Sequence, residues 1–296
     1  MRFRSIISCL LAALIVFTLA RCAGETKEAE PAAKAVVARF VSAGLGDVAP
    51  DSAVWLEAPE MTVSMLGQDL TDPKLPESTL SEIRVRALSD TRSVAFRMEW
   101  LDSTRDAVDS GKLYSDAVAV QIPPASGGMV PDSTMGQADK PVHIHLWKAS
   151  YQDAVRLDEW SLNQTFPNAT VDHYPFDAAG GDAKEKLTEQ YTIALAAGNP
   201  LIKKSGGGVD DLIAHGFGTL THLPKQVSKG WSRWENGRWT VVILRPLSES
   251  EWPGGAGLKP GRNTFVAFAV WDGGKGQAGS RKMRSVWAPL ELGGGS

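Results

Sequence analysis

Two side chains far apart in the chain could each offer a lone pair to a soft metal. Met98 lies in the run Ser93-Val94-Ala95-Phe96-Arg97-Met98-Glu99-Trp100, where Phe96 and Trp100 alternate with it at period two. On a strand all three point to one sheet face. That sets a thioether sulfur on an apolar wall, suited to ligation or to ordinary packing. Lys229 precedes Gly230-Trp231. An amine ligates only after losing its proton, and burial beside a metal cation favours that loss. Gly230 would let a flat ring approach the backbone closely. Met135, in Met135-Gly136, is the alternative sulfur. Lys225, after Pro224, and the pair Lys203-Lys204 are alternative amines. His143 and His145, two apart, could hold zinc or copper, while His173, His215 and His222 are scattered. For each of these residues the ordinary alternative is core packing or a solvated surface.

Composition excludes several classes. The 296-residue chain has a net charge of −3, so no broad basic field drives nucleic-acid binding. Its two cysteines, Cys9 and Cys22, both precede the globular part. Cysteine zinc sites, iron–sulfur clusters and internal disulfides are therefore excluded there. Without Cys-x-x-Cys-His, so is a standard covalent c-type haem. There is no Gly-x-Ser-x-Gly on a strand–helix turn and no His-Glu-x-x-His. The Gly206–Gly208 and Gly254–Gly257 stretches lack the context of a phosphate-binding loop. Ten tryptophans suit sheet packing, or a flat ligand such as a porphyrin or a sugar. In the sugar reading, Trp231, Trp234 and Trp252 form the stacking platform of a secreted carbohydrate-binding module.

Arg2 and Arg4 before the apolar run Ile6–Ala20 read as an export signal over residues 1–22. Cys22 follows Leu19-Ala20-Arg21, where Arg21 departs from the small residue of a lipoprotein signal. Lipidation at Cys22 and plain cleavage both place the protein outside the cytoplasm, in the periplasm. Residues 23–47 read as a tether with a short helix over 32–43, where alanines favour helix. Residues 48–292 form the globular domain, and 293–296 a flexible tail. Within the domain the runs Met61–Met65, Glu82–Ala87, Ser93–Trp100, Ala117–Ile122, Pro141–Trp147, Trp239–Leu244 and Thr264–Trp271 alternate or are apolar and end at turn residues. Asn236-Gly237 suits a tight hairpin. Asp182–Ala197 reads as a helix stopped by Gly198-Asn199-Pro200. The expected fold is mainly β, an antiparallel β-sandwich with a few helical insertions.

The order of blocks along the chain carries a resemblance. It runs through Trp55 with Ala58-Pro59, then Trp100-x-Asp102-x-Thr104, then Tyr114–Pro123. Met135-Gly136, Trp147-Lys148-Ala149, Gly216-Phe217-Gly218-Thr219, Gly237-Arg238-Trp239 and Ala267–Gly273 follow. From about Asp51 to Leu292 this resembles the haem b-binding gamma subunit of periplasmic molybdenum enzymes of the dimethylsulfoxide reductase family. Those enzymes include ethylbenzene dehydrogenase, dimethylsulfide dehydrogenase, and selenate and chlorate reductases. The resemblance implies a haem b held by a methionine and a lysine, matched here by Met98 and Lys229. It implies a non-catalytic electron-transfer subunit. It also implies a molybdenum catalytic subunit and an iron–sulfur subunit as partners, with a soluble cytochrome c or a quinone-linked donor beyond them.

Overall fold

The computed structural model describes residues 35–109, 112–124, 130–156, 168, 207–248, 258–259 and 261–294. The expected helix at Asp182–Ala197, the export signal, His173, Lys203, Lys204 and Trp252 lie outside these residues.

Short apolar and β-branched runs broken by turn residues fold as strands, because each has one face to bury. In chain order they are β1 (Val36–Phe40), β2 (Met61–Ser64), β3 (Leu66–Gly67), β4 (Glu82–Ser89), β5 (Ser93–Leu101), β6 (Ala117–Ile122) and β7 (Val142–Lys148). Helix α1 (Ala149–Arg156) follows, then β8 (Val209–Ala214), β9 (Thr221–His222), β10 (Lys229–Glu235), β11 (Arg238–Pro246), β12 (Asn263–Trp271), β13 (Met283–Arg284) and β14 (Ala288–Leu292). The first layer runs β10-β11-β5-β4-β1-β14-β12, and the second β12-β6-β7-β8-β9. Strand β12 belongs to both. Its first half pairs with β14 and its second half with β6 and β13.

Pairing is antiparallel throughout the described strands except at β1, which runs parallel to both β14 and β4. Here the structure corrects the short helix expected over 32–43. Val36 pairs with Leu290 and Ala38 with Ala87, and both residues are buried. The gain from filling that slot outweighs alanine's helix preference, which is a fraction of about 1 kcal/mol per residue. The slot also draws part of the stretch read as a tether into the sheet.

The core lies between the layers. Phe96, Met98, Trp100, Trp239, Val241 and Ile243 of the first layer meet Val118, Val120, Ile122, Trp147, Phe268 and Val270 of the second. Aromatic rings cross the interface: Phe96 and Phe268 centroids lie 6.4 Å apart, and Trp147 and Trp239 lie 5.2 Å apart, both edge-to-face. The β10–β11 hairpin turns at Asn236 (φ 53) and Gly237 (φ 68), the two positive φ values that a tight hairpin requires.

Candidate functional site

The outer face of the second layer carries a cavity. Because side chains alternate along a strand, Ile144, Leu146 and Lys148 point outward while His143, His145 and Trp147 point into the core. Leu212 lies opposite Ile144, and Trp271 at the end of β12 extends the same wall. Three loops rise over this face: 68–72, 217–220 and 277–282. They enclose a cavity of about 490 Å³, within the range of small-molecule and cofactor sites. A smaller cavity of about 50 Å³ adjoins it and shares Gln68, Met135, Ile144, Phe217, Trp271 and Lys282.

Met135 and Lys282 meet at this seam. Their Sδ and Nζ atoms lie 3.8 Å apart, although 147 residues separate them in sequence. Met135 is held on a fixed turn. Asp132 accepts from the Thr134 amide through its carboxylate and from the Gly136 amide through its carbonyl, and those Thr134 bonds hold the Asp132 carboxyl below its usual range. The Met135 carbonyl accepts from Gly216 at 2.9 Å, and Met135 itself has φ 77. That conformation is uncommon for a side chain of this size and marks a site fixed by its surroundings. Lys282 leads into β13, and its carbonyl accepts from the Gln68 amide at 3.1 Å. Gln68 also donates through Nε2 to Thr71 and Ser280, tying the covering loops together. The Lys282 amine sits 5.2 Å from the Trp271 ring centroid. Burial, helped by the nearby Arg284 cation, pushes its pKa down to about 8.

The residues singled out from sequence fall elsewhere. Met98 is fully buried inside the sandwich, flanked by Val85 on β4 and Val241 on β11. Lys229 pairs with Leu244, which pairs with Ala95, three residues from Met98. An odd offset puts Lys229 on the opposite face of the sheet from Met98. Its amine lies in the open, bonded to Asp47 at 3.1 Å. The structure thus does not bring Met98 and Lys229 together. Lys225 is exposed on the loop before β10.

His143 and His145 share a face, as their spacing requires, but it is the inner one, and both are fully buried. His145 Nδ1 lies 2.8 Å from Asp211 Oδ1 and 3.2 Å from Ser228 Oγ. Burial holds the imidazole pKa below its ordinary value. Burial would push Asp211 upward, but bonds from His145 and Ser228 hold it below the usual carboxylate range. His222 bonds to Asp210 at 3.2 Å, and His215 is exposed. Trp231 and Trp234, three apart, face opposite sides of β10: Trp231 packs on the outer cluster, Trp234 against the inner core. They form no shared platform.

A profile of the ethylbenzene dehydrogenase family matches residues 52–283. Among curated proteins, the chain is 24% identical over 247 residues to a protein of Haloferax mediterranei named as respiratory nitrate reductase heme subunit ORF7, covering 83% of this chain and 68% of that one. It is 24% identical over 261 residues to chlorate reductase subunit gamma of Ideonella dechloratans, covering 86% and 84%. Among solved structures, a carbohydrate binding module of family 9 from Caldicellulosiruptor kristjanssonii aligns with a TM-score of 0.39 at 8% identity, over 89% of this chain and 95% of that one. That score is too low to decide anything about ligand.

Proposed function

Because the chain belongs to the ethylbenzene dehydrogenase family, and relatives of it are named as heme and gamma subunits of nitrate and chlorate reductases, we propose that it is a haem b electron-transfer subunit of a molybdenum oxidoreductase complex. The observation that carries this reading is the convergence of Met135 and Lys282 on one apolar cavity. Sδ and Nζ lie 3.8 Å apart, so Met135 and Lys282 are the two residues that would hold a haem iron here. Both residues line both cavities. The donor chemistry fits as well. Thioether sulfur is neutral and soft, and Lys282 already holds its proton loosely.

Haem iron bound here would supply a one-electron couple, its potential raised by the sulfur ligand. Met135 and Lys282 would hold that iron from their two loops, and the subunit would relay electrons rather than catalyse a reaction. Ile144, Leu146, Leu212 and Trp271 form the dry wall beside them. The chain's partners in this reading are a molybdenum catalytic subunit and an iron–sulfur subunit, with a soluble cytochrome c or a quinone-linked donor beyond. Its place is the periplasm, reached through the Arg2/Arg4 signal, and the mass of the mature N-terminus in the native host reports cleavage or lipidation at Cys22.

The absorption spectrum of protein produced with ample haem tests the reading. A low-spin spectrum is expected, with pigment extractable into acid–acetone. Met135→Ala and Lys282→Ala should each convert it to a five-coordinate or water-bound form. A colourless, folded protein refutes the proposal.

A further inference from the structure

Three carboxylates from three distant stretches converge at one end of the sandwich. Asp102 follows β5, Asp116 precedes β6 and Asp272 follows β12. They belong to the blocks Trp100-x-Asp102-x-Thr104, Ser115-Asp116 and Trp271-Asp272-Gly273, which the cavity leaves unexplained. Each offers an oxygen within 4.8 Å of the others'. Asp102, Asp116 and Asp272 are 5%, 0% and 7% exposed.

Their bonds are accounted for oxygen by oxygen. Asp116 accepts from Gly273 N at 2.8 Å on Oδ1, and on Oδ2 from Asp106 N at 2.8 Å and Trp239 Nε1 at 3.0 Å. Asp272 accepts from the Lys275 amide at 3.0 Å and the Lys275 ammonium at 2.7 Å. Asp102 Oδ1 accepts from Thr104 N at 3.2 Å, while its Oδ2, buried, has no hydrogen-bond partner among the described residues. Among the ion pairs of the described residues, the half-exposed Lys275 ammonium meets one of these three buried carboxylates, with Asp106 close by. Buried charge on that scale calls for compensation by a proton or a cation. The backbone packs tightly around the group: a Cβ at Gly273 would meet the Tyr114 carbonyl at 2.0 Å, and one at Gly274 would meet Thr104 Oγ1 at 2.7 Å.

We propose that Asp102, Asp116 and Asp272 form a structural site for a divalent cation of the calcium class, with Asp102 Oδ2 as the oxygen left open for it. The donors are all hard oxygens. Calcium–oxygen bonds of about 2.3–2.6 Å allow ligand oxygens up to about 5 Å apart, as here. Calcium accepts irregular carboxylate geometry, whereas magnesium demands a near-ideal octahedron and keeps its waters. Without a cation, burial and then the neighbouring Asp116 and Asp272 push Asp102 up to about 7. A bound cation would take the place of a proton on Asp102 and tie the ends of β5, β6 and β12 across both layers. The site is independent of the cofactor reading, and its test needs no pigment.

The experiment is thermal unfolding of the full chain at pH 7.5 after EGTA treatment, with and without added CaCl2 or MgCl2, alongside metal analysis by mass spectrometry. One calcium per chain is expected. Saturating CaCl2 should raise the melting temperature of EGTA-treated protein by about 5–10 °C, the shift for ligand at about 100-fold over its Kd, and MgCl2 should do much less. Asp102→Asn should abolish the calcium shift while unfolding no earlier than the EGTA-treated parent, since it removes a repulsive charge. Metal-free protein that ignores both EGTA and CaCl2 overturns the proposal and leaves a proton-sharing cluster. A full calcium shift retained in Asp102→Asn overturns it too, because the response then comes from another place.

Discussion

Leucine at position 98 and leucine at position 135 should behave as opposites. Met98 has no exposed surface and is wedged between Val85 and Val241. Met98→Leu keeps volume and removes only sulfur, so stability should change by less than about 1.5 kcal/mol. Met98→Ala leaves a void in a closed core and should cost about 2–5 kcal/mol. At about 2–4 °C per kcal/mol for a body of this size, the melting temperature should fall by roughly 5–20 °C. Met135 is half-buried and borders open cavities. Truncating it encloses no new void, so cofactor-free protein should lose less than about 1 kcal/mol. The assay pairs melting by circular dichroism with the absorption spectrum and reduction potential of loaded protein. Both Met98 variants should keep the parent spectrum and potential below their melting points. Met135→Leu should stay folded but lose the sulfur ligand, with a lower potential. A changed spectrum in Met98→Leu beside an unchanged one in Met135→Leu would refute the assignment.

Lys282 titrates near 8 in the folded, cofactor-free protein against 10.5 in the unfolded chain. The folded state then binds fewer protons between those values, so cofactor-free stability should rise with pH across that window, and Lys282→Met should flatten the rise. Lys229→Ala, which breaks one exposed ion pair, should leave both spectrum and melting temperature within error. Asp211→Ala strips His145 Nδ1 and the Val227 and Ser228 amides of their buried acceptor and should cost about 3–5 kcal/mol by denaturant titration. In chelator, Asp102 and Asp116 titrate near 7 and 6 against an unfolded 3.8. The folded state holds the extra protons, so the stability they contribute is full below about pH 4 and should be lost as pH rises through 7, as melting between pH 4 and 8 would show.

Strands were legible where a run alternated and a breaker closed it. Strand β6 spans Ala117–Ile122, the bounds of the apolar run itself. Strand β1 was not, because nothing local to Val36–Phe40 announces a gap between β4 and β14. Period two correctly put Phe96, Met98 and Trp100 on one face. Periodicity cannot say whether that face meets the other layer or a ligand, and here it meets the other layer. Gly230 does admit a flat ring, for a Cβ there would meet Trp147 Cδ1 at 2.9 Å, but the ring is an indole of the core. Met135 showed itself only as a methionine beside a turn glycine. Lys282 gave no signal, since Arg281-Lys282-Met283-Arg284 reads as a solvated run until β13 turns its backbone against Gly67 and Val270.

The two faces of the second layer divide the work. The inner face is filled by Trp147 against Trp239, which stacks in turn on Trp100 at 6.3 Å. The outer face offers Ile144, Leu146, Leu212 and Trp271 as a wall, and the loops bearing Met135 and Lys282 cover it. A site built this way forms on a sheet that is already folded. Met135 and Lys282 sit on turns held by Asp132, Gly216 and Gln68, outside the packed core. Opening a slot beside Met98 would break the packing that holds both layers together, whereas the 3.8 Å contact between Met135 and Lys282 lies outside that packing.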